Sequence, residues 1–471
     1  MFIYEKEITI PAANDQNQLM RYLTESVLEQ LPEEEIPVRF VVTRTDAQGY
    51  HCELGVVSNT NDIEAPSKGG IFDFNKRNFQ NTDQFNAVLL VPTGIGAEIG
   101  GHSGDAAPVA RLLSSACDNL ITHPNVVNAS DINELPGNAL YVEGSIISCL
   151  LMGTIGLQKV RSNRVMLVID EHKDEHFQKA AVNLASAARA SFGLDCPLVL
   201  TMKQNVSMES VYSSSGRAVG KIKDFENLYS ALSKHRESYD AVGLSSVIKV
   251  PPAYHKDYYL GGMVNPWGGV EAMLTHCISL LFGVPSAHSP MMESMDILNM
   301  DVGVVDPRMA AEIVSVTFLF SVMKGLHRSP KIITEPSALG HPGILTAADI
   351  DCIVIPDGCV GLPTLAAIEQ EIPVIAVREN KNNMKNNLSA YPFKPGKLIY
   401  VENYLEAVGI MATMKAGVAP ETVRRPLSFT IVEREPQIVE MITEYQQKKT
   451  NEGKERKNVG LSLVRGTKVL K

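Results

Sequence analysis

The chain has 471 residues, more than the roughly 250–300 that one hydrophobic core usually holds, so two domains with appendages are expected. Apolar residues make up 45% and charged residues 20%, which excludes a disordered chain. A formal net charge of −10 excludes a broad surface for nucleic acid or anionic membrane, because such partners demand clustered Lys and Arg.

The N-terminus carries no basic region followed by an apolar stretch, and no run of about 18 apolar residues exists, so neither a secretory leader nor a membrane span is expected. Seven scattered cysteines without a CxxC pair favour reduced thiols and a cytoplasmic setting over disulfides or a zinc site. Residues 1–80 read as a small α/β appendage: a strand near 2–10, an amphipathic helix around 17–30, and a hairpin turning at Asp46 to Gly49. The polar stretch 59–83 reads as a link into the first α/β domain, residues 81–250.

That domain opens on an apolar run, 87–92, which breaks into a segment holding Thr93, Gly94, Gly96, Gly100, Gly101, His102, Ser103, Gly104 and Asp105. Pro108 then sits near the start of a helical pattern. A helix that begins after a glycine-rich turn offers free N–H groups and a positive dipole end, which suits a small anion. No GxxxxGK[ST] or clean GxGxxG is present. The stretch 122–134 adds His123, Asn125, Asn128, Asp131 and Glu134. Pairing of His102 with Asp105, and of His123 with Asp131 or Glu134, would give the carboxylate-oriented histidines that acid–base catalysis needs; polar turns bonding among themselves are the bland alternative.

Further along, residues 143–156 read as an apolar helix, 164–170 as a buried strand, 177–191 as an amphipathic helix and 197–202 as a strand. A polar loop at 213–221, a helix at 225–236 and a strand at 240–248 follow. Strands alternating with helices predict a parallel sheet covered on both faces. His172 and His176 are four apart but lack the HExxH order, so a solvated helix start is preferred to a metal site, and no metal ligands are assigned. In the second α/β domain, 251–425, the sequence NPWGG places Asn265, Gly268 and Gly269 at another loop-to-helix entrance. Asp306 and Pro307 start a long apolar helix ending near Lys324. The unit 349–380 reads strand–turn–helix–strand, bringing Asp357, Gly358, Cys359, Gly361 and Thr364, then Glu379 and Asn380, to the carboxyl ends of its strands. Cys359 could be an activated thiol or a small buried filler. Residues 426–471 form a C-terminal extension whose basic tail, from 446 on, is a frayed terminus or an anion- or partner-docking arm.

The long motif at 91–145, with NPWGG at 265–269 and PDGCVGLPTLAAIEQEIPVIAVREN at 356–380, resembles the DUF3326 family over most of residues 80–420. The resemblance implies membership and no activity. The 356–377 unit is also similar to the donor-binding half of GT-B glycosyltransferases and UDP-sugar 2-epimerases. Those place a ribose-binding carboxylate early in the helix, where this chain has Leu365, Ala366 and Ala367.

The expectation is thus an α/β protein of doubly wound, mostly parallel sheets in two Rossmann-like units, acting as a cytoplasmic metabolic enzyme on a small phosphate- or carboxylate-bearing ligand. His102, Asp105, His123 and Asp131 would handle protons. The ligand would be held by the loop residues Thr93 to Gly104, by Asn125, Asn128, Asn265, Gly268 and Gly269, and by the 357–380 residues named above. A nucleotide or nucleotide-sugar enzyme centred on 357–364 and a non-catalytic metabolite sensor stay open, as do the cofactor and a homo-oligomeric state.

Overall fold

The computed structural model describes residues 1–13, 15–58, 70–314 and 318–432. Residues 59–69 of the expected link and the whole basic tail lie outside them. Five apolar runs and one short polar-edged segment make a six-stranded sheet, in the spatial order Leu398–Val401, Val374–Val377, Cys352–Pro356, Asn86–Leu89, Asn119–Thr122, Ala139–Tyr141. Every pairing in it is parallel. The four inner strands are buried along their whole length, as a sheet covered on both faces requires. The chain lays down 86–89, 119–122 and 139–141 outward in one direction, then returns at 352–356 on the other side of the first strand. The loops leaving Leu89 and Pro356 therefore part company, and a crevice opens at the carboxyl ends of these two neighbours.

A second sheet of ten strands is mixed. Its parallel part contains Leu198–Met202, Val165–Asp170, Ala241–Lys249 and Ser286–Met291. Its antiparallel part contains Ser207–Tyr212, Ala218–Lys223, Phe2–Ile10, Gly49–Ser58 and Ile36–Asp46. The predicted hairpin turns at Gly49, whose φ of 132° only glycine adopts readily. Here the architecture departs from two successive doubly wound units. The longer strands of 81–250 divide between the two sheets, short pieces at 128–133 and 156–158 join two minor sheets, and the strands of 1–58 lie inside the ten-stranded sheet rather than beside it. The two-residue strand Val360–Gly361 pairs with Val42 and Val41, so the turn after Pro356 also edges the mixed sheet.

Three local expectations change. The predicted polar loop 213–221 is a hairpin turn at 213–217 that runs into strand from Ala218, because Ser207–Tyr212 and Ala218–Lys223 pair and the turn ends in the fully buried Arg217. The long helix expected from Asp306 is two helices, Ala310–Val314 and Leu319–His327. The helix Gly268–Phe282 lies hard against the strand Ala218–Lys223: a Cβ on Gly269 would stand 2.0 Å from the Ala218 carbonyl oxygen, and one on Gly220 would stand 2.2 Å from Val270 Cγ2. That contact carries Glu271, Thr275 and His276 toward the crevice. The described residues up to Val418 form one compact unit, and those from Ala419 on form a second.

Candidate active site

His123 follows the strand Asn119–Thr122 directly, and Pro124 behind it starts a short helix. The imidazole is buried, and its Nε2 accepts the N–H of Val91 at 3.1 Å. A ring nitrogen that accepts carries no proton, so the proton sits on Nδ1. Burial pushes the pKa down to about 4 despite the pull of Glu143. His123 is therefore a neutral hydrogen-bond donor at physiological pH.

Glu143 follows the neighbouring strand and caps the helix Gly144–Leu151 by accepting the Ser145 N–H at 2.8 Å. Its carboxylate also accepts the Ser145 hydroxyl, the Thr275 hydroxyl at 3.3 Å and, in a short contact, Nδ1 of His276. Burial alone would raise this carboxyl group, but the charge and hydrogen bond of His276, with those of Ser145, outweigh it and hold the pKa low. Glu143 thus fixes the ring of His276, as a carboxylate does for a general base. His276 keeps 12% of its side chain exposed, against 3% for Glu143. Both border a cavity of about 120 Å³ together with His123, Thr93, Asn125 and Asn128.

Two further carboxylates face the same space. Glu271, in the first turn of Gly268–Phe282, meets His288 Nδ1 at 3.1 Å, while His288 Nε2 meets the Ser246 hydroxyl at 2.8 Å. His288 itself borders the cavity beside Glu271, whose carboxylate it orients. Glu312 accepts the N–H of Ser103 at 2.7 Å and the Tyr258 hydroxyl at 2.8 Å, and Tyr258 is 2.7 Å from His102 Nδ1. Burial raises the Glu312 pKa to about 7 and lowers that of His102. This wall holds a carboxyl group that exchanges its proton near neutrality.

Comparison with known proteins assigns the chain to a family. The model for a protein of unknown function, DUF3326, matches residues 86–424. The chain belongs to the DUF3326 family. It is 33% identical over 347 residues to an uncharacterized lipoprotein of Synechococcus sp., covering 71% of this chain and 92% of that one. No solved structure matches. Among the described residues, no helix of this DUF3326 protein is long and apolar enough to cross a membrane.

The structure brings seven of the expected residues to the polar cavity: Thr93, Ser103, His123, Asn125, Asn128, Asn265 and Gly268. Cys359, Gly361 and Thr364 border a second, more apolar cavity, which shares Thr93, His123, Gly144, Ala272 and His276 with the first. The remaining glycines, with His102, Asp105, Asp131, Asp357, Glu379 and Asn380, border neither.

The expected carboxylate partners are corrected. His102 bonds Tyr258, not Asp105, whose Oδ1 accepts the Gly100 N–H at 2.6 Å. Glu134 is paired with Arg111, and His123 takes a backbone amide instead of Asp131 or Glu134. The glycine-rich segment spends its groups on the protein itself. Ile99 N–H donates to Asn380 Oδ1 at 2.9 Å, and Asn125 donates to the Gly100 carbonyl at 2.8 Å. A Cβ on Gly104 would meet Ala129 Cβ at 2.4 Å, so close packing requires that glycine. Burial raises the Cys359 thiol and leaves it unactivated. His172 Nδ1 accepts the Asp174 backbone N–H at 2.9 Å, and among the described residues no three His, Cys, Asp or Glu side chains could hold a metal ion. Sequence reading passes over Glu143, Glu271, His276, His288 and Glu312. The available signal was Glu271 with Thr275 four apart and His276 beside them, polar residues on an otherwise apolar helix.

Proposed function

We propose that this DUF3326 protein is an enzyme that moves protons on a small anionic metabolite, with His276 as general base and acid. The observation that carries the reading is the Glu143–His276 pair beside a second histidine whose tautomer the Val91 amide fixes. His276 takes a proton from a substrate C–H or O–H through Nε2, and Glu143 supports the imidazolium that forms. The Nδ1–H of His123 donates to the oxygen on which charge develops, an assistance that a neutral imidazole supplies without losing its proton. Glu312, poised near neutrality, returns a proton from the opposite wall. Proton abstraction next to a carbonyl, leading to isomerisation or elimination, uses all three groups. A nucleotide centred on 357–364 is the second reading, since Cys359, Gly361 and Thr364 border the apolar cavity, although Asp357 and Gly358 border neither.

The test is proton exchange in D2O, followed by NMR, over a panel of oxo and hydroxy carboxylates and phosphorylated sugars. At least one should exchange or turn over, and His276→Gln should slow it by about 10²–10⁴-fold with the fold intact. A compound that raises the melting temperature yet is never altered by the wild-type protein would replace the enzyme with a metabolite sensor. The cytoplasmic location belongs to the same proposal. Seven free, buried thiols suit a reducing compartment, while the relative, a lipoprotein by name, points to a lipid-anchored protein, and fractionation of cells separates the two.

A further inference from the structure

The apolar cavity beside the histidines has cationic walls that the proton chemistry does not use. Its volume, about 140 Å³, is close to that of an engineered cavity of ~150 Å³ that takes up benzene. Phe40, Ile71, Leu90 and Ile355 supply apolar lining, while Arg39 and Arg217 also border it.

Arg217 is 0% exposed. Its Nε donates to Glu53 at 2.7 Å and its Nη2 to Glu5 at 2.8 Å, but its Nη1 has no acceptor. Arg39 makes one side-chain hydrogen bond among the described residues, from Nη1 to the same Glu5 oxygen at 3.2 Å. The second Glu5 oxygen is buried without a donor, and Glu5 does not border the cavity. Two guanidinium groups thus present more N–H donors than their two carboxylates accept. A buried donor left without a partner costs about 1–3 kcal/mol, more when charged, so an acceptor entering the cavity gains what the protein lacks. A third wall points the same way: the helix Leu362–Gln370 starts there without a side-chain cap, with Pro363 and Thr364 at the cavity, and its first turn carries partial positive charge.

We propose that this cavity receives a benzene-sized aryl or branched alkyl group bearing an oxyanion, a carboxylate or phosphate gripped by Arg39, whose side chain stays partly accessible with one side-chain hydrogen bond among the described residues, while the fully buried Arg217 adds its charge from behind the wall. The shared border at Thr93, His123 and His276 makes it the site for the non-reacting end of the substrate, an assignment that rests on the proposed enzymatic function.

Calorimetry on the full chain with benzoate, phenyl phosphate, benzyl alcohol and inorganic phosphate tests the idea. Benzoate or phenyl phosphate should bind, the better of the two naming the oxyanion, and benzyl alcohol and inorganic phosphate should bind at least about tenfold more weakly. Arg39→Gln should weaken the aryl anion by about tenfold or more; if that variant does not fold, Arg39→Lys, which keeps the charge and loses the fork, should still weaken it. Calorimetry reads binding without turnover, so an inactive enzyme and an unfilled cavity give different results. Equal binding of benzyl alcohol, equal binding of inorganic phosphate, indifference to both Arg39 variants, or no binding by any of the four would overturn the proposal.

Discussion

Asp105 shows how a side chain can be placed by the fold yet held in the wrong charge state for neutral pH. Burial raises its pKa from 3.8 to about 7 against the Gly100 hydrogen bond, and its Oδ2 is buried without a partner. Between those two values the folded state binds more protons than the unfolded state, so stability falls as pH rises, and the loss is complete above about 7. Asp105→Asn removes the penalty. The variant should melt at the wild-type temperature below pH 4 and higher at pH 8, by an amount on the order of 4 kcal/mol in thermal unfolding. A pH-independent difference would mean that the carboxyl group ionises normally. For Glu143→Gln the expected readout is catalytic: a neutral amide no longer supports a charged His276, and the rate of any exchange reaction should fall by about 10²-fold or more. His123 and Asn125 were legible in the sequence because polar residues crowd beside a buried strand end. Their partners were not, nor was the Glu143–His276 pair, because a backbone amide 32 positions away or a helix 133 residues later leaves no trace in local spacing.

The helix Gly268–Phe282 does the positioning at the scale of the element. NPWGG marked its entrance in the sequence, and Asn265 indeed caps it, accepting the N–H of Trp267 at 2.9 Å and of Gly268 at 3.2 Å. What the sequence does not reveal is that the two glycines exist for contact. Gly268 abuts Thr93, and Gly269 abuts the Ala218 carbonyl. Gly269→Ala should force the helix off the strand, costing about 1–3 kcal/mol by overpacking and displacing His276. Chemical denaturation would read the first effect and proton exchange the second. A variant as stable and active as wild type would show that the helix slides freely on its strand.

For the whole molecule, apolar runs predicted most individual strands, and the parallel sheet follows from them. Sheet membership did not, because periodicity says which face a strand buries and nothing about which distant strand it joins. Phe2–Ile10 lies between Ala218–Lys223 and Gly49–Ser58, far from an appendage in its bonding. Deleting residues 1–58 should therefore abolish cooperative unfolding of the remainder, measured by circular dichroism and calorimetry, although the family match begins only at residue 86. A soluble truncated chain with a sharp transition would mean that the parallel sheet stands alone.

The same strand order sets a timetable for the growing chain. The strands Phe2–Ile10, Ile36–Asp46 and Gly49–Ser58 emerge from the ribosome first, yet their flanking partners are residues 218–223 and 360–361. At about 5–20 residues per second the first partner follows after on the order of ten to forty seconds, and the second later still. Until then a three-stranded ribbon waits with both edges unpaired, the condition in which strands aggregate. Newborn chains should therefore depend on a holding chaperone during synthesis far more than the finished protein depends on one to stay folded.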